Sequence, residues 1–578
     1  MKPVRLAASA TTALPRWGLL LLALLYILPG LIGRDPWKSD EAASFGIMWT
    51  MAHGGLSDWL APNIIGLAMP GEGPLAFWIG AICIKLFGWL LGDMLAARVA
   101  NILFFSLGAA SIWYAAYHFG RQPEAQPMQL AFGGQPKPKD YGRMLADGAL
   151  LIYIGCIGLL QHSHETRAEA LFVSLIGLLL YAAVCYAETP SLRNAGLIGA
   201  ALGLLVLTRG WVVPLALWLP LLAFLCWLQQ EIRRTVPHFL LALAMALLLP
   251  ALWIALACSL LPPGQSPFSA WMAWNVEQIG WPSVETLRFF FKNGLLFCWP
   301  AWPFAIWAVY AWRRQRHDLH IALPLLFVAV FTLLALFDPT PNESMLLPLL
   351  PPLAILAAFG LPTMRRGGIN AVDWFSVMAM TIGAALIWLG WVAKQTGWPM
   401  RIAKNAAKLA PGFTQELNLI ALLIALCATL AWFLLVYWRL SRQPTVLWRA
   451  VVLSTGGVIL CWLLLSTLWL PWLNYGKSYI SVAQQVAQRL PSPQTCVTAH
   501  ITPAQRASFA YLGGITLSRP GSADCDFLLL HDRLNRSRRK NEPISLPNTA
   551  SQWKLVWLGN RPGDRDERFH LYQRVKTP

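Results

Sequence analysis

The chain predicts an all-α polytopic membrane bundle of about 13 transmembrane helices, followed by a small α/β C-terminal domain. Three observations carry that expectation. Of 578 residues, 57% are hydrophobic and 12% charged, with a mean hydropathy of +0.51, whereas soluble domains are roughly a quarter charged. Apolar runs of about 18 to 24 residues recur, each enough to cross roughly 30 Å of hydrocarbon as a helix. From Asn474 onward those runs stop. The net charge of +18 does not indicate nucleic acid. Lys and Arg fall in small groups between apolar runs, as cytoplasmic loops do, and the 30 Trp suit interfacial belts.

A basic start (Lys2, Arg5, Arg16) leads into Gly18 to Ile32 with no evident small-residue cleavage site, so it reads as an uncleaved anchor with a cytoplasmic N-terminus. The first helix, Trp17 to Gly33, then delivers a first loop (34–95) to the outside. Within it, Ala42 to His53 and Leu56 to Leu67 read as helices lying on the membrane surface. Pro74 to Leu91 is apolar but only about 17 residues long and contains Lys85. If it crossed, the basic loops at Gly120 to Arg143, Arg233-Arg234, Arg313 to Arg316, Arg365-Arg366 and Arg439 with Arg442 would all lie outside. That repeated bias outweighs one short run, so Pro74 to Leu91 is expected not to span. The later crossings are Ala96 to His118, Met144 to Leu160, Ala168 to Tyr186, Ala195 to Leu207, Trp211 to Leu228 and Phe239 to Leu261. Then come Phe291 to Trp312, His320 to Phe337, Leu346 to Leu361, Trp374 to Ala393, Leu417 to Trp438 and Ala450 to Leu470.

This parity places the C-terminus outside and divides the chain into a membrane part (1–473) and a soluble part (474–578). In the latter, Ser478 to Leu490 has helical periodicity, and Thr495 to Ala499, Phe527 to Leu530, Leu555 to Leu558 and His570 to Arg574 read as strands. Most Cys sit inside apolar runs as small hydrophobes. Cys496 and Cys525 do not, and in an oxidising compartment they are expected to pair.

Two acidic clusters emerge on the same outer face. Asp40 and Glu41 follow the first helix, and His162-Ser163-His164-Glu165-Thr166-Arg167-Ala168-Glu169 follows the third. Carboxylates at a membrane exit are commonly solvated caps; two clusters delivered to one face also make a shared site. Arg209, in the break Leu207-Thr208-Arg209-Gly210-Trp211, either snorkels or holds a phosphate. Arg98, opening a helix on that face, suits an anionic lipid headgroup, and Lys38 and Lys85 are further cations there. Outer loops with Trp271, Trp274, Asn275, Glu277, Gln278 and Trp281, and Asp338 to Ser344, form either an aromatic belt or a sugar-binding face.

The order of these features resembles a family. Asp40-Glu41 after the first helix, Gly71-Glu72-Gly73-Pro74-Leu75-Ala76-Phe77-Trp78, Ala97-Arg98, the acid ending the third crossing, Leu207-Thr208-Arg209-Gly210 and Leu347-Pro348-Leu349-Leu350-Pro351-Pro352-Leu353 recur together. Over about residues 17–360 the chain is similar to the GT-C membrane glycosyltransferases, above all the protein O-mannosyltransferase-like enzymes and the bacterial aminoarabinose transferases of lipid A. The resemblance implies sugar transfer from a polyprenyl-phosphate donor to a periplasmic lipid A, polysaccharide or protein, in a multi-pass bacterial inner-membrane protein with a periplasmic C-terminal domain. It implies Asp40 as catalytic acid, Glu165 as the second acid and Arg98 as the active-site arginine. Two positions differ: Glu72-Gly73-Pro74-Leu75 stands where aminoarabinose transferases have Glu-Lys-Pro-Pro, and Ala43 where an Arg commonly follows the acidic pair.

The chemistry fits the residues as well. Cations (Arg98, Arg167, Arg209, Lys85), with His164 nearby, would stabilise a leaving phosphate. Asp40 would take the acceptor proton while Glu41 and Glu165 orient it, in an inverting displacement. Carboxylates with His162 or His164 are also a donor set for a divalent cation, at a spacing that is not diagnostic. A transporter or lipid flippase is the main rival. It is disfavoured because the acids lie at outer helix ends and no inverted repeat is visible. A non-catalytic scaffold is a third reading.

Overall fold

The computed structural model describes residues 4–12, 14–38, 40–129, 133–229, 232–262, 266–414, 416–441, 448–521, 525–533 and 553–575. Ser39, Leu130 to Phe132 and Arg442, in stretches named above, lie outside them. Helix α1 (Arg16–Ile27) ends in turns through Gly30 (φ 85°) and Gly33 (φ 72°), a backbone that glycine adopts without strain. The first loop then builds α2 (Asp40–His53), α3 (Leu56–Leu60), the hairpin β1 (Asn63–Ile64) and β2 (Leu67–Ala68), and α4 (Leu75–Leu91). The surface helix expected over Leu56 to Leu67 therefore stops at Leu60. Pro62 follows, and Ile65 (φ 51°) with Gly66 (φ 79°) makes the tight turn that two short strands need. Helix α4 is unbroken, so it contains no re-entrant turn.

The bundle continues through α5 (Asp93–Arg121), α6 (Pro138–Ile154), α7 (Ile157–His162), α8 (Ala168–Glu188), α9 (Leu192–Arg209), α10 (Val212–Gln229) and α11 (Ile232–Leu260). Next come α12 (Phe268–Glu277), α13 (Val284–Phe297), α14 (Ala301–Ala311), α15 (Leu319–Leu336) and α16 (Leu350–Gly360). They are followed by α17 (Arg366–Thr396), α18 (Met400–Leu409), α19 (Leu419–Ser441), α20 (Arg449–Leu468) and α21 (Leu470–Lys477). Among the described residues ten helices are long and apolar enough to cross a membrane, or eleven if α13 and α14, bent by 95°, form one span. About 13 were expected from the runs, and the shortfall has physical causes. Helix α1 is 12 residues long. Met144 to Leu160 breaks at Gly155-Cys156 into α6 and α7, and Phe291 to Trp312 breaks at Cys298 to Pro300, where proline offers no N–H.

Lipid explains the outer surface. Only 11% of the apolar stretch of α19 is buried by protein, against 78% of α8 and 94% of Glu343–Thr363. Leu419, Ile420, Leu423, Phe433 and Leu434 are exposed along α19, an apolar face that water would not tolerate. Both well-covered segments named here reach the cavity, α8 through Glu169 and the other through Glu343 and Ser344.

At the C-terminus, β3 (Val497–His500), β4 (Phe527–Arg533), β5 (Trp553–Arg561) and β6 (Asp564–Arg574) form one sheet in the order β3-β4-β6-β5, with β3 parallel to β4 and the rest antiparallel. Alternate residues Phe527, Leu529, Phe569 and Leu571 point to one face, where they pack with Val482 and Val486 of α22 (Ile480–Ala487) and Phe509 of α23 (Pro503–Gly513). Cys496 and Cys525 are disulfide-bonded, as expected, with Cα atoms 5.4 Å apart. The boundary expected at Asn474 falls inside α21. Helix α23 was not foreseen, and it seats the sheet on the first loop. A Cβ on Gly46 of α2 would run into Ala507, and Arg506 donates to the carbonyls of Ile64 and Ile65.

Candidate active site

Adjacent helical residues point about 100° apart, and α2 uses this to separate its acidic pair. Asp40 has 68% of its side chain exposed, whereas Glu41 has 1%. Glu41 accepts from Arg34, from Arg98 at 3.1 Å and from the Trp37 backbone N–H at 3.3 Å. Arg98, expected at an anionic headgroup, is buried instead. Its guanidinium donates to the carbonyls of Leu31, Arg34 and Asp35 as well as to Glu41, tying the exit of α1 to α5. Arg98→Ala would orphan those carbonyls and half of the Glu41 pairing. We expect it to lower stability by about 3–5 kcal/mol, read as a fall in the melting temperature of the purified protein.

Arg167, at the N-cap of α8, joins the two acidic clusters. It lies 3.1 Å from Asp40 Oδ2 and 3.5 Å from Glu165 Oε2, and it pairs with Glu169 Oε1. Burial opposes its charge, but Glu169, Asp40 and Glu165 together hold its pKa above the ordinary arginine value. Glu165 is itself buried and accepts from Gln161 at 2.8 Å; burial and then Glu41 push its carboxyl up. His164 sits behind this layer, its ring nitrogens 2.6 and 2.9 Å from the carbonyls of Leu160 and Tyr26. Lys85 lies 5.4 Å over the Trp59 ring. Glu41, Glu165, Arg98, His164 and Lys85 are thus not in the cavity wall, which Asp40, Arg167 and Arg209 do line.

That cavity, about 550 Å³, is walled by the start of α2, the Gly71–Glu72 loop, Gln161 and His162, the start of α8, the end of α9, and Trp274, Gln278, Asn342, Glu343 and Ser344. From the outer loops read as a sugar face, Trp274, Gln278, Thr340, Asn342, Glu343 and Ser344 reach it. Trp271 is buried against Trp253, and Trp281 is 88% exposed. Glu72, Glu169 and Glu343 are the lining acids that lay in quoted stretches without being selected. Loss of solvent, then the charge of Glu169, push Glu72 up to about 7. Arg209 Nη1 is 3.6 Å from Glu169 Oε1 and is buried without a hydrogen-bond acceptor among the described residues. Below Arg209 a narrow cleft of about 70 Å³ runs between Phe172, Val213, Phe331, Leu334 and Pro348.

Gly73 accounts for the altered motif. Its N–H donates to Thr208 O at 3.2 Å, and a Cβ there would collide with the Leu207 carbonyl. Gly210 is pinned likewise against Asn275, whose side-chain oxygen accepts the Trp211 N–H at 2.9 Å. The loop that carries Glu72 is thereby locked to the turn that carries Arg209. We expect Gly73→Lys, which restores the residue of aminoarabinose transferases, to destabilise the fold by about 1–3 kcal/mol through overpacking, measured by thermal unfolding.

A metal reading finds no support in the donor set. Among the described residues no three His, Cys, Asp or Glu side chains converge, and a guanidinium already occupies the space between Asp40, Glu165 and Glu169.

No protein-family model and no curated protein sequence matches the chain. Solved structures do. ArnT from Cupriavidus metallidurans bound to undecaprenyl phosphate is 14% identical, with a TM-score of 0.66 over 96% of this chain and 97% of that one. Its apo state gives 15% identity and 0.64, with the same shares covered. The oligosaccharyltransferase AglB from Archaeoglobus fulgidus gives 12% identity and a TM-score of 0.44, over 89% of this chain and 68% of that one. The chain therefore has the fold of ArnT, the GT-C type expected from the sequence, along nearly its whole length.

Proposed function

We propose that the protein is a multi-pass inner-membrane glycosyltransferase, with its N-terminus cytoplasmic and its C-terminal sheet periplasmic. It moves a sugar from a polyprenyl-phosphate donor to a hydroxyl of a periplasmic acceptor on lipid A, a polysaccharide or a protein. One observation carries this reading: Asp40 stands in the walls of two cavities at once. On one side is the Arg167–Arg209 cavity; on the other is a polar cavity of about 360 Å³, lined by Lys38, Tyr479, Gln505, His531, Asp564 and Glu567, into which the C-terminal sheet unit projects.

The reaction orders itself along that line. The donor phosphate lies at Arg209 and Arg167, with its isoprenoid tail in the apolar cleft below Arg209 and its sugar toward Asp40. The binding of undecaprenyl phosphate by a protein of the same fold supports this placement. The acceptor enters from the sheet side. Asp40 takes the hydroxyl proton as the acceptor oxygen bonds to the anomeric carbon. The carbon–oxygen bond to phosphate breaks on the opposite face, inverting the centre, and polyprenyl phosphate leaves with its charge on the two arginines. Glu41 and Glu165 position Arg34 and Arg167 rather than meet substrate.

The test is direct. Purified protein in lipid, given a panel of polyprenyl-phosphate sugars and cell-envelope acceptors, should release free polyprenyl phosphate from at least one donor in an acceptor-dependent way. No release from any donor would reject the reading.

A further inference from the structure

Between the long helices α17 and α19 lies α18, a helix outside the site and independent of the proposed reaction. From Lys394 to Thr414 the segment has four cations (Lys394, Arg401, Lys404, Lys408) and no carboxylate. At 3.6 residues per turn Arg401, Lys404 and Lys408 fall within an arc of about 60°, and all three are exposed. Beside them Leu409 is 63% exposed, and on the approach to the helix Trp398 is 73% exposed.

Contacts fix where this helix lies. The Lys394 ammonium sits 4.6, 5.1 and 5.6 Å from the ring centroids of Phe413, Trp469 and Trp472, and Tyr475 donates to Pro411 O at 2.8 Å. Trp472 and Tyr475 belong to α21, and between them Asn474 holds the first loop: it donates to Gly33 O at 2.8 Å and accepts from Trp37 Nε1 at 3.0 Å. So α18 is at the end of the bundle that carries the cavity. The 31-residue α17 puts about 46 Å between it and the basic loops near Arg313 and Arg365, where Trp307 bonds Thr363. A basic cluster on that far end is not explained by the charge bias that orients membrane proteins.

We propose that α18 is a docking element for anionic phospholipid in the leaflet on the cavity's side. Its cation stripe meets lipid phosphates, and Trp398 and Leu409 enter the acyl boundary. Connectivity supports that occupant: chain held between two spans lies at the membrane surface, where the available anion is the headgroup and exposed apolar side chains have hydrocarbon to enter.

The test counts lipids retained by the full-length protein in native mass spectrometry, titrated with phosphatidylglycerol or phosphatidylcholine. Wild type should prefer phosphatidylglycerol. The triple variant Arg401→Gln/Lys404→Gln/Lys408→Gln should lose at least about tenfold in its apparent affinity, with an unchanged melting temperature. Lys404→Arg/Lys408→Arg should keep the preference, and Trp398→Ser/Leu409→Ser should weaken binding with the charges intact. Equal retention by wild type and the triple Gln variant would overturn the proposal. So would displacement of the lipid by an equal concentration of inorganic phosphate, which would show that the acyl boundary contributes nothing.

Discussion

Asp40→Asn should cut the release of polyprenyl phosphate by about 10²–10⁴-fold while leaving the melting temperature and donor retention nearly unchanged. The substitution keeps size and hydrogen-bonding shape and removes only the ability to accept a proton. Stability should hold because Asp40 is largely exposed and its one close ion pair, with Arg167, is shared by Glu165 and Glu169. The neighbouring Glu41→Gln serves as the contrast. It strips charge from a carboxylate buried against Arg34 and Arg98, so its main effect should be on folding. An Asp40→Asn enzyme that turns over at the wild-type rate would pass the proton acceptor to another cavity carboxylate, with Glu72 first in line.

Arg209→Ala should lower turnover by about 10²–10³-fold, with a smaller loss for Arg209→Lys. Of the two cavity arginines, Arg167 has three carboxylates within 4 Å, whereas Arg209 has one, Glu169, with Glu72 acting on both at longer range, and a buried nitrogen with no acceptor among the described residues. A cation already satisfied by neighbours gains little from a departing phosphate; one left short gains more. Steady-state kinetics separate the alternatives. Loss in kcat places Arg209 on the charge that develops as the phosphate leaves, and loss confined to KM would make it only a donor anchor.

The sequence showed where charge leaves the apolar runs, and that sufficed to bring Asp40 and the His162–Glu169 cluster to one face. It could not show which way each side chain turns. Asp40 and Glu41 differ by one residue, yet one is exposed and the other buried, because α2 begins at Asp40 and its rotation is set by packing on α4 and α23. Glu169 rather than Glu165 faces the cavity because α8 starts at Ala168. Arg98 and Arg209 both sit at helix ends. Only tertiary contacts send the first under the loop carbonyls and leave the second beside open space. Glu72 gave no periodic signal at all. Its place follows from Gly73 resting on the Leu207 carbonyl, a close approach between residues 134 positions apart in sequence.

Helix α23 bears directly on α2, with Ala507 filling the hollow at Gly46. The last hundred or so residues are therefore a counterweight on the same stem that presents Asp40, not an ornament hung beside a self-sufficient bundle. A load that tilts the sheet would therefore press on α2 at Gly46, six residues along the helix from that carboxylate.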